Sequence, residues 1–130
     1  MNKIFVYGTL RNGDENAHLL NNAICLDKNC WTYGLLYDTG CGYPAIAPST
    51  TYKTYGELYL VSDYELKLLD ELEDYEEDGT DNLYDRVEQE IFTSNGESTT
   101  AYVYVANKEE LKVKDIPSGD WIQFRLLSKK

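Results

Sequence analysis

Two short segments hold the residue types that could do chemistry together. The first is Leu69-Asp70-Glu71-Leu72-Glu73-Asp74-Tyr75, a carboxylate-rich stretch. In a helix, Glu73 falls one turn after Leu69 and two turns after Leu66, so those leucines flank it on the surface. Lys67, Asp70, Glu71 and Asp74 project onto the opposite arc and read as a solvated face. Desolvation and neighbouring acids both raise a carboxylate's pKa, and one poised nearer neutrality can take up a proton and return it. Glu73 is therefore a candidate general acid/base, or else a buried hydrogen-bonding residue. The second segment is Ile4-Phe5-Val6-Tyr7, which breaks into Gly8-Thr9-Leu10-Arg11-Asn12-Gly13. A backbone bent at Gly8 can be approached closely, and successive N–H groups after the bend can cradle an anion or a carbonyl oxygen. On its own this turn is a weak signal: Thr9 can simply cap it, and Arg11 can be a surface charge.

Other chemistries find little support. His18 is the sole histidine, and no activated Ser or Cys accompanies it, so there is no nucleophilic triad. Neither a phosphate-binding G-x-x-x-x-G-K-[ST] loop nor a dinucleotide-binding glycine pattern occurs. Cys25, Cys30 and Cys41 never form C-x-x-C, and with His18 they match no common zinc spacing. No metal and no cofactor are expected, and free thiols fit a reducing cytoplasm.

The elements that must position these segments follow from patterning. Ile4–Tyr7 reads as a buried strand, and Asn16–Leu26 as a short helix or helical turn. Trp31–Tyr37 reads as a strand, then a Gly/Pro-punctuated stretch runs from Thr39 to Pro48. Tyr52–Val61 alternates like a half-buried strand. Leu83–Thr93 and Thr100–Ala106 form two more, and Asn95-Gly96 between them signals a hairpin. Ser62 to about Tyr75 reads as a helix opened by a Ser62/Glu65 capping box. Tyr64, Leu68, Leu72 and Tyr75 define its expected apolar face, extended by Leu66 and Leu69. Pro117–Trp121 reads as a turn before a polar tail. Five or six strands with one substantial helix make an α+β domain, and closure into a small barrel would hide the sheet edges.

The 130 residues are expected to form a single domain with its own core. A net charge of −11 leaves no basic stripe, so neither nucleic acid nor an anionic membrane is an expected partner. No apolar run reaches membrane-spanning length and no signal pattern opens the chain, so a cytoplasmic protein is expected. No heptad or long apolar edge demands a partner, and a monomer is expected. Twelve tyrosines suit half-exposed sheets and pockets that need an apolar wall with a polar tip.

Seven motifs occur in order: Phe5-Val6-Tyr7-Gly8-Thr9-Leu10-Arg11, Gly40 to Pro44, Tyr55-Gly56-Glu57-Leu58-Tyr59, Leu69-Asp70-Glu71-Leu72-Glu73, Leu83-Tyr84-Asp85-Arg86, Ala101-Tyr102-Val103-Tyr104 and Ser118-Gly119-Asp120-Trp121. Together they resemble the gamma-glutamylcyclotransferase-like superfamily, in particular its small bacterial, AIG2-like and gamma-glutamylamine cyclotransferase-like members. The resemblance implies a small mixed β-barrel of about six strands with peripheral helices. It implies a substrate pocket lined by Tyr7, Gly8, Thr9 and Leu10, with Glu73 as the catalytic acid/base and Tyr104 at a pocket position. The implied substrate is a small γ-glutamyl amide or γ-glutamylamine, cleaved to 5-oxoproline and a free amine. A non-catalytic metabolite-binding or regulatory module on the same fold is the alternative. Two positions depart from the common pattern: Asp74 stands where Gly often follows the glutamate, and Asp85 replaces the first Arg of Tyr-Arg-Arg.

Overall fold

Both faces of the opening strand are buried, which explains why its sequence is a continuous apolar run rather than an alternation. In the computed structural model, which describes residues 1–77, 79 and 81–128, that strand is β1 (Asn2–Val6). Ile4 and Val6 pack into one core cluster with Leu69, Tyr84 and Tyr104. Phe5 and the following Tyr7 pack into a second, with Leu36, Ile46 and Trp121.

β1 is one stave of a closed five-stranded barrel. The others are β2 (Ile24–Tyr33), β5 (Lys53–Val61), β6 (Tyr84–Phe92) and β7 (Ser98–Ala106), in the order β1-β5-β2-β6-β7. The pairs are antiparallel except the closing one, where β1 meets β7 in parallel at Ile4 and Tyr102. The expected count of about six strands thus becomes five in the barrel. Three more, β3 (Leu35–Asp38), β4 (Pro44–Ala47) and β8 (Lys114–Ile116), form a second sheet in the order β4-β3-β8. The stretch expected as one strand, Trp31–Tyr37, divides at Gly34. There the N–H bonds to the Tyr52 carbonyl at 2.9 Å and the carbonyl accepts from Thr54 Oγ1 at 2.9 Å. Those bonds replace ladder pairing and pass the chain to the second sheet. The Asn95-Gly96 hairpin stands as expected, with Gly96 at φ +86° and a bond from Thr93 N to Glu97 O.

Helix α1 (Asp63–Leu72) opens with the expected capping box. Glu65 N–H donates to Ser62 Oγ at 3.1 Å and Ser62 N–H to Glu65 Oε1 at 2.8 Å. Its buried face differs from the expected one. Leu66 and Leu69 enter the core, whereas Tyr64 is 71% exposed and Leu68 and Leu72 are also exposed. A helix lying on a convex barrel touches it along a narrow stripe, and two leucines three residues apart fill that stripe.

The C-terminal region corrects the expectation of a turn and polar tail. Trp121–Ser128 is a helix, α2, whose first turn is capped by Asp120 Oδ1 accepting from Gln123 N–H at 3.1 Å. Trp121 is buried and stacks on Phe124 with ring centroids 5.7 Å apart. At the other end, helical structure between Asn16 and Leu26 is confined to a 3₁₀ turn at Ala17–Leu20, and β2 already begins at Ile24. Among the described residues no helix is long and apolar enough to cross a membrane. Cys25, Cys30 and Cys41 are unpaired thiols.

Candidate active site

The two segments singled out in the sequence meet at one cavity. Its volume is about 280 Å³, and Tyr7, Gly8, Thr9, Leu10 and Glu73 all line it. Tyr43, Tyr84 and Tyr104 complete an aromatic wall, and Glu15, Cys41, Gly42, Leu72 and Leu83 also border it.

Glu73 reaches this place because of how α1 stops. It is the C-cap residue, with φ −88° and ψ 6°. Asp74 then takes φ +53°, the left-handed conformation, while its N–H bonds to Glu71 O and Tyr75 N–H bonds to Asp70 O at 2.9 Å. This pair of bonds is a Schellman motif, which satisfies the last helical carbonyls and reverses the chain. The departure at Asp74 now has a physical meaning. Glycine adopts positive φ without cost, and Asp is among the few other residues that do so readily.

Among the described residues, no group donates a hydrogen bond to the Glu73 carboxylate. Burial pushes its pKa up from 4.5 to about 7. The negative charge of Glu73 in turn helps to raise the pKa of Tyr7, Tyr84, Tyr104 and Tyr43, in each case behind the larger effect of burial. Four phenols thus surround one carboxylate, and at neutral pH all four are protonated.

Three of those phenols have already committed their protons. Tyr7 donates to the Tyr104 carbonyl at 2.5 Å, Tyr84 to the Pro44 carbonyl at 2.5 Å and Tyr104 to Asp70 Oδ1 at 2.7 Å. A hydroxyl that has spent its proton can only accept. On this side, therefore, the cavity offers acceptors, as a substrate ammonium requires. Asp70 is itself held by Arg86 Nη1 at 2.6 Å, and Arg86 lies over the rings of Tyr75 and Tyr102. Asp70 is thus not the solvated acid expected from helical projection; the reversal after Glu73 and strand β6 bring a cation to it.

The turn after Tyr7 offers donors. Among the described residues the N–H groups of Gly8, Thr9 and Leu10 donate to no protein acceptor, although the carbonyls of Gly8 and Thr9 accept from Arg11 and Asn16. Three unused amides in succession make a ready site for a carbonyl or carboxylate oxygen. Gly8 is required for packing as well. A Cβ there would lie 2.6 Å from Pro44 Cγ, so the turn is pressed against the start of β4. Thr9 Oγ1 accepts from Asn16 Nδ2 at 2.9 Å, which ties the turn to the residues after it. Among the described residues no group of three His, Cys, Asp or Glu side chains could hold a metal ion.

The sequence reading did not find Tyr43 or Tyr84, since any single tyrosine in a chain rich in them reads as sheet packing. It also left Arg11 as a surface charge, whereas its guanidinium is largely buried against Glu57 and Asp120. A buried pairing between distant motifs leaves no local trace.

Comparison with known proteins places this arrangement in context. The model of the family described as "Gamma-glutamyl cyclotransferase, AIG2-like" matches residues 4–123. The gamma-L-glutamyl-butirosin B gamma-glutamyl cyclotransferase of Niallia circulans is 39% identical over 127 residues, covering 97% of this chain and 79% of that protein. Gamma-glutamylaminecyclotransferase A of Danio rerio is 32% identical over 112 residues, covering 78% of this chain and 66% of that protein. The crystal structure of YkqA from Bacillus subtilis superposes with a TM-score of 0.78 at 28% identity; the match covers 98% of this chain and 42% of that one.

Proposed function

This chain belongs to the gamma-glutamyl cyclotransferase, AIG2-like family, and from that premise we propose that it cleaves a γ-glutamyl amide by internal cyclisation. The α-amine nitrogen of the substrate attacks its own γ-carbonyl carbon. A new C–N bond closes the five-membered ring, the old amide C–N bond breaks, and 5-oxoproline and a free amine are released.

The observation that carries this reading is Glu73, a carboxylate with no donor among the described residues, its pKa pushed up to about 7 by burial, in a cavity also lined by the Gly8–Leu10 turn, whose three amides donate to no described acceptor. The α-ammonium must lose a proton before its nitrogen can attack. Against a free α-amino group at about 8, a base near 7 takes that proton uphill by only about 1.4 kcal/mol. An unperturbed glutamate would face about 5 kcal/mol on the same scale. Glu73 passes that proton to the departing nitrogen, and the second proton that the ring nitrogen sheds on becoming an amide follows it there, so the amine leaves as an ammonium and Glu73 ends the cycle as it began. The Tyr84 and Tyr104 oxygens accept from the ammonium, and the Gly8–Leu10 amides hold oxygen on the carbonyl or carboxylate side. Holding nitrogen and carbonyl in attack geometry can contribute on the order of 7–11 kcal/mol.

The leaving group is proposed to be an amine rather than a large peptide. The Danio rerio relative is named a gamma-glutamylaminecyclotransferase, and the exposed Glu15 carboxylate at the cavity border suits a cationic leaving group. The three unpaired cysteines suit work in a reducing cytoplasm.

The test is release of 5-oxoproline from γ-glutamyl amino acids, γ-glutamyl-ε-lysine and glutathione by the parental chain and by Glu73→Gln. Turnover of at least one compound by the parent, lost in the variant, is expected. Parental turnover by the variant overturns the role of Glu73. Tight binding of one compound without turnover replaces the enzyme by a metabolite-binding module.

A further inference from the structure

A second interior glutamate lies outside the cavity, and the chemistry proposed above leaves it unused. Glu57, on β5 opposite Val6, is 4% exposed. Its Oε1 accepts from the backbone N–H of Asn12 at 2.9 Å and from the Tyr59 hydroxyl at 2.8 Å. Its Oε2 faces Arg11 Nε at 3.4 Å. Arg11 Nη1 reaches on to Asp120 Oδ1 at 3.0 Å, and the same Asp120 oxygen caps α2. One guanidinium therefore joins two carboxylates, and three motifs far apart in sequence: 5–11, 55–59 and 118–121.

The position of this cluster in the chain is what gives it meaning. Asn12 and Arg11 directly follow the three amides that border the cavity. Asn12 is drawn to Glu57 through its backbone, Arg11 through its side chain. A third tie comes from Asp14, whose Oδ1 accepts from Arg125 Nη1 on α2 at 2.7 Å. With its far end anchored, the turn cannot swing its amides into pairing with the barrel. A charged hydrogen-bonded anchor is also stiffer and more directional than apolar packing.

We infer that Glu57, acting through Arg11 and Asp120, is a positioning residue that holds the Gly8–Leu10 amides in their substrate-binding geometry without touching substrate. The inference rests on the proposed role of those amides, and it extends the site to a buried ion cluster behind the barrel wall.

The experiment uses the full chain in two variants. Glu57→Gln keeps an acceptor for Asn12 and Tyr59 but removes the charge facing Arg11. Asp120→Asn keeps a good helix cap and weakens the outer half of the cluster, so it serves if the first variant does not fold. With γ-glutamyl-ε-lysine as probe, or whichever of the compounds named above the parent turns over, KM is expected to rise about tenfold for Glu57→Gln, on the scale of a lost charged hydrogen bond. A rise of about threefold is expected for Asp120→Asn, with kcat within about twofold in both. The midpoint of the pH profile, which reports Glu73, should not move. In unliganded protein, amide exchange at Arg11 and Asn16, whose N–H groups bond to the Gly8 and Thr9 carbonyls, should quicken while Tyr75, at the end of α1, keeps its rate. That last readout needs no turnover, so it separates failure of the inference from failure of the cyclotransferase reading. Unchanged amide exchange at Arg11 and Asn16 in the folded variants overturns the inference. So does a fall in kcat with a displaced pH midpoint, which would make Glu57 act on Glu73 instead.

Discussion

Glu73, half-buried at the cavity, and Glu57, fully buried in the barrel wall, are both glutamates withdrawn from bulk water, yet their surroundings are opposites. Glu57 is held by a backbone amide, a phenol and a guanidinium. Glu73 is surrounded by phenols, three of which point their protons elsewhere, and no described residue donates to it. The contrast shows that burial alone does not decide what an acid is for. A carboxylate given donors becomes an anchor. One denied them holds its proton to higher pH and becomes a shuttle.

Replacing each acid by its amide should break the comparison in different ways. The largest effect expected is on turnover. Glu73→Gln should lower the rate of 5-oxoproline release by about 10²–10⁴-fold, the usual range for a positioned acid/base, as read in a steady-state assay. In the parent, kcat/KM should rise with pH through a midpoint near 7 as Glu73 loses its proton. That limb should be missing from whatever activity the variant retains.

Stability should then move in opposite directions for the two acids. Glu57→Gln should cost about 3 kcal/mol in denaturant unfolding, because it leaves Arg11 buried with only its outer partner. Glu73→Gln should instead stabilise the protein by about 1–3 kcal/mol at pH 8. The sign follows from linkage. The folded-state pKa of Glu73, about 7, lies above its reference value of 4.5, so between those values the folded chain binds more protons than the unfolded one. Native stability therefore falls as pH rises across that window, and the advantage of the variant should vanish near pH 4.5. A constant advantage at every pH would show that Glu73 is not desolvated.

Two smaller changes sharpen the comparison at the elements that present each wall. Gly8→Ala places a methyl group against Pro44 and should cost about 1–3 kcal/mol, with substrate binding weakened as the turn is displaced. Asp74→Gly relieves the left-handed residue behind Glu73 and should raise stability by up to about 1 kcal/mol, measured by thermal unfolding, with little change in KM.

What could be read in advance was whatever depends on local order in the chain. The buried strand before Gly8, the Ser62/Glu65 box and the Asn95-Gly96 hairpin all rest on residues within a few positions of one another. That Glu73 lies partly out of water was expected from helical periodicity past Leu66 and Leu69, and the cavity position of residues 7–10 from the family resemblance. What escaped depends on distant partners. Asp70 looked solvated because helical projection cannot supply Arg86 from another strand. Arg11 looked superficial because Glu57 and Asp120 lie in other motifs. Tyr64, Leu68 and Leu72 looked buried because an apolar arc on a helix does not reveal how narrow a convex partner is. Helix α2 was missed because eight residues carry too few turns for a clear period, and its cap at Asp120 read as part of a turn.

The barrel is closed by a single parallel meeting of Ile4 with Tyr102. Strand β1 is thus seated between two neighbours, β5 and β7, that follow it by some fifty and a hundred residues. Ring closure must await the late strand, and contacts so far apart in sequence slow the search. Tyr104, which carries one wall of the cavity, sits on that late strand. During synthesis the amides of residues 8–10 therefore exist long before the wall that gives them a purpose, and a truncated chain ending before β7 would have no chamber to bind in.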